Sequence, residues 1–456
     1  MTILRTKKIA LILLLLSLIV TAFSFQRQKM DRGGHSEVRP RRREVRSLNG
    51  GRPFHVQGPR FVPGQVLVKF KPTVQNQLID ATVAAYSSIK VKKIPRLEVY
   101  QLRIPENITV EEMVYALNQN PDVEYAEPNF IVRITVTPND PLFEYQYALL
   151  NTGQEIGIPG LLGGTVGADI KATTAWEETK GSADTIIASI DSGVDFSHPE
   201  LKNKVLSRGR DFVNNDFDAT DDLGHGTFVA GIAAADTNNN EGVAGVAWNC
   251  RILPIKVIDE TGWGEESALA EGIIWAADNG ADVISISLGS EDPLDSVRDA
   301  LIYAHDRGIV IAASAGNDGT SVFYPAAYDD YCLAVAATDY NDQRTFWSNF
   351  GPQVDISAPG ENVIGPVPNW FWQSQGYAGE IPYAIGSGTS ASAPHIAGMA
   401  ALLKSAKPWL TADQVMDIIR YTADDVNSGQ NKGKDDYLGY GRINMQKALV
   451  PIKISK

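Results

Sequence analysis

The sequence predicts an α/β protein: a parallel sheet flanked by helices, preceded by a small α+β domain. Three observations predict it. Short apolar runs rich in β-branched residues, at 186–190, 252–257, 283–287, 309–313 and 333–337, alternate with helix-like segments at 269–279, 296–307, 391–404 and 412–421. Such alternation builds a parallel sheet buried on both faces. Within 61–135 the runs follow a different order, strand-helix-strand-strand-helix-strand, which is that of a ferredoxin-like domain. The 456 residues are 44% hydrophobic and 21% charged, ordinary values for a globular chain and enough length for more than one domain.

The elements follow in chain order. Lys7 and Lys8 precede an apolar run over 9–23, and Ala22-Phe23-Ser24 offers small residues at cleavage offsets, so 1–24 reads as a secretory signal peptide. The run is shorter than the roughly 20 residues of a spanning helix. An uncleaved anchor is the alternative, and no later segment could cross a bilayer. Residues 25–60 are basic, contain Gly and Pro, lack periodicity and read as linker. Then 65–70 alternates as a strand, 74–85 can form a helix, 89–93 and 97–104 read as strands, 110–118 as a helix and 123–126 as a last strand. The alternating α/β body is read over 136–450, and no accessory domain is expected after it.

Charge and cysteine content narrow the function. Residues 1–60 hold 13 Lys/Arg against 3 Asp/Glu, which leaves 28 against 51 in the remainder. So acidic a body argues against nucleic acid as a partner. The two cysteines, Cys250 and Cys332, each open an apolar run and are expected as buried thiols rather than as a bridge.

Three segments carry chemistry. The apolar run 186–190 leads into Asp191-Ser192-Gly193, the end of a buried strand. Asp221-Asp222-Leu223-Gly224-His225-Gly226-Thr227 opens an apolar helix. Gly388-Thr389-Ser390-Ala391-Ser392-Ala393-Pro394-His395 opens another, which puts the Ser390 hydroxyl and N–H at a helix start, where the dipole favours negative charge. A serine nucleophile needs that setting, because an oxyanion forms beside it. Alone, Ser390 would be an N-cap, Asp191 a turn residue and His225 a helix-start residue.

Together they stand in the chain order Asp…His…Ser, which among convergent Ser-His-Asp enzymes is the subtilisin order. On these three blocks, residues 136–450 resemble the subtilisin-like (subtilase) serine proteases, of a thermitase-like branch. Residues 61–135 resemble the family's propeptide, an inhibitor and folding aid. The resemblance implies that Ser390 attacks a peptide carbonyl, that His225 takes the hydroxyl proton and that Asp191 orients the imidazole. Asp195 and His198 match flanking positions of the family blocks, and Phe228 stands where a second histidine is usual. Asn317, in Ser314-Ala315-Gly316-Asn317-Asp318-Gly319, matches the oxyanion-hole donor, paired with the Ser390 N–H; a turn asparagine is the alternative. Substrate is implied to bind as an added strand between Ser287-Leu288-Gly289 and Gly262-Trp263-Gly264. Leu288 and Leu269 are expected to line an apolar subsite, with core packing the alternative, and Phe323 to shorten the primary pocket.

The resemblance also implies calcium. Side chains of Asp140, Glu200 and Asn239, with carbonyls of Asp236, Glu241 and Val243, would form one cage of oxygens suited to Ca²⁺. Glu200 replaces the more usual aspartate. Asp211, Asp216, Asp218 and Thr220 resemble a second site, with a solvated polar loop the alternative. Processing is expected between Thr135 and Val136, with Thr135 in the primary pocket and Val132 in the apolar subsite; cleavage after Arg133 is the rival. The whole reads as a secreted, calcium-stabilised serine endopeptidase made as a self-processing precursor. Its partners would be polypeptide substrates and its own propeptide, with no stable membrane association once the signal is removed. A membrane-anchored processing protease and a catalytically silent binding protein on the same scaffold are the alternatives.

Overall fold

The computed structural model describes residues 61–130, 136–374 and 382–449. The expected signal peptide and linker lie outside these, as do Val132, Arg133 and Thr135. The chain falls into two compact units, one within 56–134 and the other formed by the chain from 135 onward.

The first unit has the element order expected. It runs β1 (Phe61–Phe70), α1 (Asn76–Ala85), β2 (Ile89–Ile94), β3 (Val99–Arg103), α2 (Val110–Asn118) and β4 (Val123–Phe130). The sheet order is β2-β3-β1-β4 with antiparallel pairing throughout. Val66, Val68, Ile79, Val83, Leu102, Met113 and Leu117 pack one apolar core between sheet and helices. A capping box starts α2: Thr109 Oγ1 accepts from Glu112 N (3.2 Å) and Glu112 Oε2 accepts from Thr109 N (2.9 Å). Leu97 was expected inside a strand but lies in a turn, 58% exposed, with left-handed residues at Arg96 and Glu98 on either side.

The second unit is built on seven strands: β5 (Ile186–Asp191), β6 (Arg210–Asp211), β7 (Arg251–Lys256), β8 (Val283–Ile286), β9 (Val310–Ser314), β10 (Leu333–Thr338) and β11 (Ile356–Pro359). Their order is β11-β10-β9-β8-β5-β7-β6, and every pairing is parallel. Successive strand residues face opposite sides, so one strand feeds two cores. Ile187, Ile252, Val283 and Leu333 pack with Ile396, Ala400 and Leu403 of a long helix. Ala188, Leu253, Ile284 and Ala334 pack on the other face with Leu269, Ile273, Val297 and Leu301. The helices are α3 (Ala172–Ala175), α4 (His225–Ala234), α5 (Glu266–Asp278), α6 (Asp295–His305), α7 (Trp370–Ser374), α8 (Thr389–Ala406), α9 (Ala412–Tyr421) and α10 (Met445–Leu449). A hairpin, β12 (Val363–Pro366) and β13 (Tyr383–Gly386), precedes α8. Among the described residues no helix is long and apolar enough to cross a membrane. Cys250 and Cys332 are buried, unpaired thiols.

Candidate active site

Asp191 ends β5, a strand flanked by β7 and β8, so its carboxylate emerges at the carboxyl edge of the sheet, where parallel α/β folds place their chemistry. Its Oδ1 accepts from the Ser192 N–H (2.8 Å) and from His225 Nδ1 (2.7 Å). The carboxylate is 2% exposed and the imidazole 27% exposed, so the acid is shielded while the base reaches the cleft. Burial alone would lower the His225 pKa; the Asp191 carboxylate, by charge and hydrogen bond, outweighs it and raises the value above the ordinary 6.5.

The turn before His225 is closed by Asp221, a buried residue the sequence reading used only as part of a motif. Asp221 Oδ1 accepts from Ser192 Oγ (2.8 Å), Leu223 N (3.0 Å) and Gly224 N (2.8 Å). Its Oδ2 accepts from Thr227 N (2.9 Å) and Thr227 Oγ1 (2.5 Å). Ser192 Oγ in turn accepts from Gly226 N (2.9 Å). One side chain therefore ties the residue after Asp191 to the helix start that carries His225. Gly224 caps that helix at φ +96°, a conformation that favours glycine. Asp195 and His198 serve other ends: Asp195 Oδ1 accepts from Ser197, and His198 Nε2 meets the Pro382 carbonyl at 2.9 Å. Phe228 lies against the hairpin, where a Cβ on Gly365 would meet its ring at 2.7 Å.

Ser390 is the second residue of α8 and is half-buried. Its Oγ donates to the Ser287 carbonyl (3.1 Å), while Ser287 Oγ donates back to the Ser390 carbonyl (3.1 Å). The second bond has a cause four residues on. Pro394 has no N–H, so the Ser390 carbonyl loses its normal helical partner, and Ser287 supplies a replacement. A proline four positions after the serine was the available signal.

Asn317 is exposed and lies in the loop after β9. Its Oδ1 accepts from Thr389 N (2.8 Å) and Thr389 Oγ1 (2.9 Å). Fixing the oxygen fixes the amide plane, and Nδ2 lies 3.4 Å from where a Cβ on Gly388 would stand. Asn349, wholly buried, pins the loop by accepting from Asp318 N (2.9 Å) and Thr320 N (3.1 Å) through Oδ1. Sequence reasoning missed it, since it lies in no motif.

The expected substrate edges divide. Phe323 adjoins Gly289 and Gly316, whose added Cβ atoms would come within 3.3 and 3.0 Å of it. Leu288 is partly buried at the edge of the apolar core, and Leu269 lies inside that core at 4% exposure. The 259–264 loop is closed by Asp259, whose Oδ1 accepts from Thr261 N (2.9 Å) and Trp263 N (3.1 Å), leaving the Trp263 side chain exposed.

The first oxygen-rich loop meets the segment that follows residue 135. Asp140 accepts from Asn238 N (2.8 Å) and Asn239 N (3.3 Å), and Leu142 N donates to the Gly242 carbonyl (2.7 Å). Glu200 is fully buried and accepts from Asn239 Nδ2 (2.9 Å), Val243 N (3.0 Å) and the Tyr383 hydroxyl (2.9 Å). Burial pushes the Glu200 carboxyl up to about 7, and the nearby Asp140 adds to the shift. The second set is arranged differently. Asp211 Oδ1 caps Val213 N (2.7 Å) and Asn214 N (2.9 Å), Asp216 caps Asp218 N (2.8 Å), and Asp218 holds Thr220 N (3.2 Å). Among the described residues, no three His, Cys, Asp or Glu side chains converge as a metal cage.

A parallel sheet that delivers a carboxylate, an imidazole and a helix-start serine to one edge defines an α/β hydrolytic scaffold equipped for acyl transfer. Comparison with known proteins narrows the class. A family model described as the subtilase family matches residues 182–441, and one described as the fervidolysin N-terminal prodomain matches 51–129. A thermophilic serine proteinase of Bacillus sp. (strain AK1) is 39% identical over 85% of this chain and 88% of its own length. Thermitase of Thermoactinomyces vulgaris is 39% identical over 69% of this chain and 99% of its own. Among solved structures, a protease of Pseudoalteromonas arctica superposes with a TM-score of 0.58 at 29% identity, covering 70% of this chain and all of that one. Sphericase superposes at 0.52 and 30% identity, over 58% and 92% of the two chains. The chain belongs to the subtilase family of serine proteases, with the subtilisin-like fold and an N-terminal prodomain.

Proposed function

We propose that this chain is made as a secreted, self-inhibited precursor whose 136–450 segment cleaves polypeptides through Asp191, His225 and Ser390. The observation that carries the reading is the buried Asp191 carboxylate in direct hydrogen bond with a partly exposed imidazole, on the edge that also bears Ser390. A substrate carbonyl would draw Ser390 Oγ from Ser287; the hydroxyl proton passes to His225 and then to the leaving amine, and water releases the acyl group from Ser390. Asn317 Nδ2 and the Ser390 N–H would stabilise the oxyanion. Phe323, beside Gly289, would restrict the primary pocket to small or medium side chains, which suits Thr135 as the residue released in self-processing before Val136. Secretion rests on the 1–24 segment and on a 37% identical relative named as an extracellular serine protease, Nep of Natrialba magadii, of which this chain covers 56%.

The test is Ser390→Ala. The unaltered chain should mature to a protein beginning at Val136 and react with a fluorophosphonate. The variant should stay unprocessed and unlabelled. Labelling of the variant would remove Ser390 from this role, an unreactive parent chain would favour the silent-scaffold reading, and a terminus more than about three residues from Val136 would remove the processing site.

Calcium is proposed at the first loop. Asp140 and Glu200 are buried carboxylates with no cationic side chain paired to either among the described residues. Uncompensated buried charge of that kind is costly, and a divalent cation offsets it. Asp140, Asn239 and the carbonyls of Asp236, Glu241 and Val243 would hold the ion, with Glu200 aiming the Asn239 amide or joining them. The ion would act as a structural tie. At a hundredfold excess over Kd, binding to the folded state alone stabilises by about 2.7 kcal/mol. Chelation should therefore lower the melting midpoint by roughly 5 °C; an unchanged curve, with residual metal assayed, would count against the site. The 211–220 set is the weaker candidate, since its carboxylates already close their own turns.

A further inference from the structure

Lys256 takes no part in the chemistry above, yet it stands directly beside it. It ends β7, in register with Asp191 of β5 on one side and Asp211 of β6 on the other. Its side chain is 1% exposed, which for lysine requires a full set of partners. Nζ has three protons to give and three acceptors to take them: the Ser192 carbonyl (3.1 Å), the Ile258 carbonyl (2.6 Å) and Asp222 Oδ1 (2.6 Å).

The acceptors belong to three different working segments. Ser192 follows Asp191. Asp222 lies in the turn three residues before His225. Ile258 starts the loop that presents 262–264. Asp222 is 42% exposed, so the pair joins a buried cation to a carboxylate at the cleft surface. We propose that Lys256 is a positioning residue of the protease site: its ammonium fixes the acid segment, the base turn and the substrate edge relative to one another. This role rests on the triad reading given above.

A misplacement of about 1 Å in such a constellation costs on the order of 10²-fold in rate. The test uses the full chain, processed in trans where self-processing fails, with kcat, KM and fluorophosphonate acylation measured per folded molecule alongside the melting midpoint. Lys256→Met should lower kcat and the acylation rate together by about 10–100-fold, with KM changed much less. Lys256→Arg, which keeps the charge and the donors, should recover most of the loss. Asp222→Ala cuts one arm at the surface and should lower kcat several-fold at an unchanged melting midpoint. A Met variant that melts lower yet keeps its kcat would make the lysine a purely structural tie and overturn the proposal. Equal loss in the Met and Arg variants would also overturn it. If the Met variant does not fold, Asp222→Ala with an unaltered kcat overturns it. An inactive parent chain would instead overturn the triad reading, and this role with it.

Discussion

The two halves of the site are built to different degrees. Asp191 and His225 are in hydrogen-bonding contact, and Asp221 binds the segments that carry them through five donors. The Ser390 half is tied elsewhere: among the described residues Ser390 Oγ donates to the Ser287 carbonyl, not to His225. Asn317 holds its oxygen on Thr389 and leaves its donor end toward Gly388. The difference follows from position. Asp221 bonds the residue after the Asp191 strand end to the helix start that carries His225, whereas Thr389 and Ser390, at a second helix start, take their partners from Asn317 and Ser287. The Asp191–His225 half is therefore tied by the fold, and under the proposed mechanism the Ser390 half would be completed by the substrate.

Substitutions on the two sides should separate them. Asp191→Asn keeps the shape but removes the carboxylate charge and can turn an amide N–H toward Nδ1, which favours the wrong imidazole tautomer, and kcat should fall by about 10⁴. Asn317→Ala removes one oxyanion donor and should lower kcat by roughly 10²–10³ with little change in KM. Steady-state kinetics on one peptide substrate checks both. Equal losses would break the comparison, since neither half would then outweigh the other; a loss in KM alone for the Asn317 variant would make it a binding residue rather than a donor to the transition state.

The legibility of the sequence follows the same line. The five strands named in advance, β5 and β7 to β10, are buried on both faces, so they read as unbroken apolar runs. β6 and β11 lie at the sheet edges, the one only Arg210–Asp211 and the other containing Ser357 and Pro359, and carry no such signal. Helix α5 begins at Glu266, before the expected 269, because its first turn is polar and exposed. At the site, residues inside contiguous motifs were legible. Asn349, Lys256 and the Ser287–Ser390 exchange were not, because each joins segments that meet only in the folded chain. The two acidic loops show the same limit. Composition made them alike, but in one the carboxylates of Asp140 and Glu200 are brought in from distant segments, and in the other each aspartate closes a local turn.

The smallest expected effect is also the most direct reading of the acid–base half. Two histidines of this unit sit in environments that act in opposite directions. His395 is fully enclosed; burial pulls its pKa down to about 4, and its hydrogen bond to the Ala391 carbonyl only partly opposes that. The unfolded chain therefore binds more protons there between about pH 4 and 6.5, and this term makes stability rise with pH across that window. His225 is the reverse case: its folded pKa lies above 6.5, so its stabilising contribution is present below that value and fades as pH rises through the folded one. Catalysis needs the neutral imidazole, so kcat/KM should rise with pH along a limb set by His225 and centred above 6.5. His395, already neutral there, should leave no mark on it. In Asp191→Asn the residual activity should show the limb moved to lower pH, because burial then acts on His225 without the carboxylate to oppose it. A limb at or below 6.5 in the unaltered enzyme, or one that does not move in the Asn variant, would show that the Asp191 charge does not govern the base.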